Sequence, residues 1–110
     1  GRLVQAVVKD YVQTNPGISF EDLLLVFPHE LARHKYGVFD KVKVAEKYFI
    51  DSGSKYKRFY MNEADIITLS DAKIVVCSQF GKGNMDPFLD VCKKLDIKIN
   101  WHIDILILLR

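Results

Sequence analysis

One hundred and ten residues make one domain, or one module of a longer chain, and a hydrophobic share of 49% is enough for a core, which excludes a disordered chain. The net charge of +2 is too small to announce a nucleic-acid binder by itself, so the placement of charge matters more than its sum. Gly1 stands where an initiator Met is expected and reads as a cloning remnant on a fragment.

Residues 2 to about 14 have a helical period, with Leu3, Val4, Val7, Val8, Tyr11 and Val12 on one face. Asn15-Pro16-Gly17 stops that helix, because Pro cannot continue it and Gly allows a positive φ. Ser19 is a good N-cap for a second helix from Phe20 to about Phe27, with Asp22 at the third helical position. Phe20, Leu23, Leu24 and Phe27 face inward, and Pro28 either ends the helix or opens a short turn through Leu31.

A third helix is expected over Tyr36 to Tyr48, burying Val38, Phe39, Val42, Ala45 and Tyr48. Tyr48-Phe49-Ile50, then Asp51-Ser52-Gly53-Ser54, then Lys55 to Met61 place aromatic and β-branched residues around a Gly-containing loop, which is a hairpin signal. Tyr56, Arg58 and Tyr60 share one face of its second strand. Beyond a polar connector at 62–65, Ile66–Leu69 reads as a strand, Ser70-Asp71 as a turn and Lys73–Phe80 as a strand buried on both faces. Asp86-Pro87 reads as N-cap and first residue of a fourth helix, Pro87 to Leu95, and Ile97–Ile99 as a returning strand. The expected fold is α+β: a winged helix-turn-helix-like part over 2–61 and a strand-strand-helix-strand unit over 62–110, sharing one core.

Arg33, Lys35, Lys41, Lys43, Lys47, Lys55, Lys57 and Arg58 are half of all Lys and Arg in the chain. A basic helix followed by a basic hairpin is how a winged helix presents itself to a nucleic-acid backbone. The candidate nucleic-acid-binding residues are these eight with His34, Tyr36 and Lys82; Tyr36, Lys41 and His34 are placed to reach base edges. The ordinary reading of such lysines is a solvated face. Gly81-Lys82-Gly83-Asn84 lies between a strand and a helix and is neither a P-loop nor a dinucleotide fingerprint; its glycines are expected to shape a tight turn, at least one with positive φ.

No catalytic signature here is strong and no cofactor is expected, so any catalytic domain is expected elsewhere in the full-length chain, with a small metal-dependent nuclease as the third functional reading after the two given below. Asp71-Ala72-Lys73 only superficially offers a metal-dependent nuclease motif, and a turn entering a strand explains it better. Cys77 and Cys92 are expected reduced in the core, and with no CxxC pair and scattered histidines no zinc site is expected. Ile103 to Leu109 is broken by Asp104 and too short to span a bilayer; with no signal peptide visible, a cytoplasmic location is expected.

VVKDYVQTNPGISFEDLLLVFP and ITLSDAKIVVCSQFGKGNMDPFLDVCKKLDIKI resemble sequences of small modules in bacterial restriction and phage-defence proteins. Together they cover about half the chain. This implies an accessory or DNA-recognition module joined to an effector domain, with no catalytic centre of its own. The chain departs from that pattern at Ala72, where Gly is expected, and at Phe80, where Trp is expected. The first functional expectation is therefore a module for double-stranded DNA. The second is a protein-interaction module pairing with another chain through the C-terminal strand and its apolar tail.

Overall fold

A computed structural model describes residues 2–95 and, at Lys82, the backbone alone. The strand expected at Ile97–Ile99, the apolar tail, His102 and the side chain of Lys82 lie outside the described residues. The chain is mixed α+β, with four α-helices and a three-stranded antiparallel sheet among the described residues.

Helix α1 spans Leu3–Thr14 and α2 spans Phe20–Val26. Both follow their apolar spacing. Leu3, Val4, Val7 and Val8 are buried, and the Ser19 side chain accepts a hydrogen bond from the Asp22 N–H at 3.1 Å, closing the start of α2 as the sequence suggests. Pro28 both ends α2 and opens a single 3₁₀ turn, His29–Leu31.

The next segment departs from expectation. Gly37 takes φ +73°, and a Cβ there would meet the His29 ring, so the helix expected from Tyr36 cannot start. Phe39–Lys41 forms strand β1 instead, and α3 begins at Val42 and runs to Asp51. The expected hairpin is absent. Tyr48, Phe49 and Ile50 continue α3, because Val42, Ala45 and Phe49 keep the helical period through them.

Asp51-Ser52-Gly53-Ser54 is a helix C-terminus and not a wing. The Gly53 N–H donates to the Ile50 carbonyl at 2.9 Å and the Ser54 N–H to the Phe49 carbonyl at 3.1 Å, the paired bonds of a Schellman motif with Gly53 at φ +72°. The Ser52 hydroxyl donates to the Phe49 carbonyl at 2.6 Å and accepts from the N–H groups of Lys55 and Tyr56, turning the chain away from the helix.

Strands β2, Ile67–Thr68, and β3, Lys73–Val76, complete the sheet in the order β1-β3-β2. Phe39 pairs with Val76 and Lys41 with Ile74; Ile67 also faces Ile74. Residues 58–60 extend the β2 side of β3: Phe59 bridges Cys77, the Tyr60 N–H donates to the Val76 carbonyl, and the Ser78 N–H donates to the Arg58 carbonyl. The second half of the expected hairpin therefore pairs with β3 and not with residues 48–50.

Helix α4 spans Asp86–Lys94. Asp86 is its first helical residue and gives no capping hydrogen bond, so its role is an acid in the first turn and not the expected N-cap. Neither Gly81 nor Gly83 has positive φ, and an added Cβ at either meets open space. Asn84 shapes that loop instead: its side chain accepts from the Gly81 N–H at 2.8 Å and donates to the Gln79 carbonyl at 3.0 Å.

One buried cluster runs from Leu3 to Cys92. Its centre is aromatic. Phe27 meets Tyr11 edge-on at 5.5 Å and stacks on Phe88 at 5.6 Å. Fully burying one such ring contributes roughly 1.5–3 kcal/mol. Both cysteines are free and buried within it. Among the described residues no helix is long and apolar enough to cross a membrane.

Candidate functional site

The basic stretch from 33 to 58 is divided by α3. At about 100° per residue, Val42, Lys43 and Glu46 fall on one flank and Val44, Lys47, Tyr48 and Asp51 on the other. Ala45 is buried beneath both.

The second flank leads into a cluster centred on Tyr36. Its ring meets Tyr48 edge-on at 5.0 Å and Phe59 at 6.3 Å, while Tyr48 and Phe59 stack at 6.2 Å. Two cations lie against these rings. The Lys35 ammonium is 5.5 Å from the Tyr36 centroid and 5.8 Å from that of Tyr48. The Arg58 guanidinium is 5.6 Å from the Tyr36 centroid and 4.9 Å from that of Tyr56, a residue 55% exposed. Each such contact contributes about 0.5–1 kcal/mol near the surface and, more usefully, orients a long side chain.

Arg58 is held further. Its Nη1 donates to Gln79 Oε1 at 3.1 Å. Gln79 is itself fixed: Nε2 donates to Ser78 Oγ at 3.0 Å, and its carbonyl accepts from Asn84. A run of hydrogen bonds thus ties Arg58 to the 81–84 loop. Among the described residues one of the five guanidinium N–H groups is used, which leaves the fork able to donate to a phosphate or carboxylate.

Below this surface, the Tyr36 N–H donates to His34 Nδ1 at 3.2 Å, placing any proton of the neutral ring on Nε2, 3.9 Å from Cys77 Sγ. The ring also packs on Phe80 at 5.4 Å. Burial holds the His34 pKa below its ordinary value, so the ring is neutral at pH 7. Burial raises the Cys77 thiol to about 11, against the Gln79 N–H and the Arg58 charge, which act the other way. A thiol 1% exposed and protonated beside a neutral imidazole is a packing pair, not a nucleophile and base.

On the other flank lies an open groove of about 610 Å³ lined by Lys41, Val42, Lys43, Glu46, Ile66, Asp71, Ala72 and Lys73. A smaller hollow of about 360 Å³ lies against Val44, Lys47, Tyr48 and Asp51. Among the described residues the one ion pair is Arg2–Asp65 at 2.8 Å; neither residue lines either hollow, although Asp65 directly precedes Ile66. That pair is structural: Asp65 Oδ1 also accepts from Gln5 at 3.0 Å, and the Arg2 and Gln5 bonds hold the Asp65 pKa below the ordinary carboxylate range.

The structure therefore brings together His34, Lys35, Tyr36 and Arg58, with Lys47 adjoining through Tyr48. It sets Lys41 and Lys43 apart, and Lys41 lies with its ammonium 4.8 Å from the Phe20 centroid. Arg33, Lys55 and Lys57 are exposed on connecting segments. His34, expected at the surface, has both ring nitrogens turned inward. Sequence reasoning missed Gln79 and Gly37, and met Asn84 and Lys73 only as parts of the 81–84 loop and of the Asp71-Ala72-Lys73 turn. The polar pair Ser78-Gln79 interrupting an apolar run was the signal for Gln79; nothing local marked the need at Gly37. Among the described residues no three His, Cys, Asp or Glu side chains gather as a metal site would need.

No protein-family model, curated protein or solved structure matches this chain, so functional inference rests on the geometry of these two flanks.

Proposed function

We propose that this chain is a DNA-binding module that holds duplex DNA mainly by its phosphate backbone. The observation that carries the reading is the cluster around Tyr36. Lys35 and Arg58, 23 residues apart, converge on one set of rings with no acidic partner among the described residues, and Arg58 is pre-oriented by Gln79. Phosphate contacts made by such side chains position a duplex without reading its sequence. Lys47, on the adjoining flank of α3, extends the same basic surface, and Lys55 and Lys57 precede Arg58 on an exposed segment.

In this proposal α3 lies along the duplex, and the winged helix-turn-helix plan survives in reduced form. The exposed segment 55–57 and residues 58–60, which pair with β3, take the place of the wing that 51–54 does not form. The module is an accessory or recognition part of a larger restriction or defence protein, a setting supported by the sequence resemblance alone.

The test is fluorescence anisotropy with a labelled duplex at several salt concentrations. Affinity is expected to fall steeply with salt, and replacing Lys55, Lys57 and Arg58 together by Ala is expected to flatten the log–log slope by as much as about 2.7, at about 0.9 per phosphate. Affinity that ignores both salt and the triple substitution discards the reading.

A further inference from the structure

We propose that the groove on the opposite flank of α3 is a separate site for a small phosphorylated ligand with a flat, largely apolar body, of the size of a mononucleotide. Three observations converge on it. Its volume of about 610 Å³ falls inside the range of about 300–1,000 Å³ typical of small-molecule sites. Its apolar lining, Val42, Ile66 and Ala72, comes from three separate places in the chain, the start of α3, the connector before β2 and the turn before β3. Its charged lining is three lysines and two carboxylates that do not neutralise one another, for none of Lys41, Lys43 and Lys73 lies within ion-pair distance of Glu46 or Asp71.

The two carboxylates are not equivalent. Asp71 Oδ1 accepts the Phe20 N–H at 2.8 Å and so is engaged in fixing α2 to the β2–β3 turn. Glu46 is exposed and has no partner among the described residues. A ligand with a phosphate and a hydrogen-bond donor on its ring or sugar uses both signs: the ammonium groups take the phosphate, and Glu46 takes the donor. A bare inorganic anion uses only the first. Lys41, the residue before α3, provides no side-chain cap, and the first turn of α3 contains no acid, so its backbone N–H groups add to the lysines, with Asp40 Oδ1 accepting only the Lys41 N–H at 2.8 Å.

This site does not depend on the DNA reading, since it uses side chains on the other flank. The experiment is amide NMR titration of the full chain with adenosine monophosphate, inorganic phosphate and adenosine in parallel. Adenosine monophosphate is expected to give saturable shifts centred on Val42, Lys43, Ala72 and Lys73, with phosphate at least tenfold weaker and adenosine weaker still. The double variant Lys43→Gln, Lys73→Gln is expected to weaken that binding at least tenfold, and Lys35→Gln to leave it within twofold. All three substitutions are of exposed side chains, and an unchanged melting temperature confirms that the fold is retained. Equal responses to phosphate and the nucleotide would overturn the flat-body part of the proposal. Shifts spread over lysines all round the surface, shifts centred on Lys35 and Arg58, or no shift at millimolar ligand would overturn the site itself.

Discussion

The two flanks of α3 carry similar charge on different backing. On one, Lys35 and Arg58 lie on the rings of Tyr36, Tyr48 and Tyr56, and Gln79 fixes the guanidinium. On the other, Lys41, Lys43 and Lys73 surround an aliphatic floor with an unengaged carboxylate among them. The difference teaches that a count of lysines says little about what a surface takes. Rings below a cation give an open surface on which the cations are oriented for a polyanion, with Asp51 the acid at its edge. A concave aliphatic floor with both signs on its rim suits a small ligand with several kinds of group.

The sharpest way to break one flank and spare the other is Gly37→Ala. A Cβ at Gly37 lands on the His29 ring, and φ +73° is strained for alanine in any case. The expected loss is about 3 kcal/mol, from backbone strain and overpacking together. The loop from 33 to 36 moves with it, so duplex affinity should fall in variant protein that remains folded, while nucleotide binding at the Lys43–Lys73 groove changes less. Denaturant unfolding with both ligand titrations measures the three effects.

That residue also shows why only part of the molecule was legible in the sequence. Ser19, Asn15-Pro16-Gly17 and the α1 period each have one physical meaning, and the structure keeps it. Asp51-Ser52-Gly53-Ser54 has two: a Gly in the left-handed region closes a hairpin or ends a helix, and only the fate of Tyr48–Ile50 decides between them. That fate is tertiary, set by where Ala45 and Tyr48 find the core. Gly37 likewise declares its need only once His29 is folded against it. The candidate site suffered for the same reason. Its charges were visible, but Gln79 and Asn84, which orient Arg58, belong to a segment that reads locally as strand and turn.

A second test acts beneath the aromatic flank. Cys77→Ala removes a buried sulfur that packs on His34 and accepts the Gln79 N–H at 3.4 Å. The expected loss is roughly 1–2 kcal/mol, with duplex affinity retained because Arg58 keeps its other supports. With its pKa raised to about 11, the thiol contributes stability that is present below its unfolded value and lost as the solution is made alkaline through the folded one. Cys92, also raised to about 11 by burial, adds the same dependence. Thiol labelling at pH 7 should therefore be slow until the chain unfolds, and the alkaline unfolding midpoint should rise when either cysteine is replaced by a non-ionising residue of similar size.

Acid acts on the same flank with the opposite sign. His34 is held neutral by burial, so the stability it contributes is full above its ordinary pKa and is lost as the pH falls through the depressed folded value. Asp65, whose pKa is also depressed, adds a second loss in more acidic solution, below the ordinary carboxylate range. Melting temperatures followed downward from pH 7 should show two declines. His34→Gln should remove the upper one and Asp65→Asn the lower, although each variant begins from a lower plateau. Retention of the upper decline in His34→Gln would mean that the imidazole is not the titrating group.

The smallest expected effect distinguishes glycines that the structure needs from those it tolerates. Gly81 has φ −144° and ψ −175°, extended backbone that any residue adopts, and a Cβ there meets nothing within 4 Å. Gly83 also avoids the left-handed region and faces open space. The 81–84 turn is closed by the Asn84 side chain, so the glycines contribute flexibility to the unfolded chain and little to the folded one. Replacing either by Ala should then change stability by less than about 0.5 kcal/mol, or raise it slightly by lowering unfolded-state entropy. Asn84→Ala, in contrast, removes both bonds that shape the loop and loosens the carbonyl of the residue that orients Arg58. It should weaken duplex binding while leaving the Lys43–Lys73 groove unaffected. If the glycine variants lower the melting temperature as much as Asn84→Ala does, the turn depends on its glycines after all, and the coupling drawn here between Asn84, Gln79 and Arg58 loses its basis.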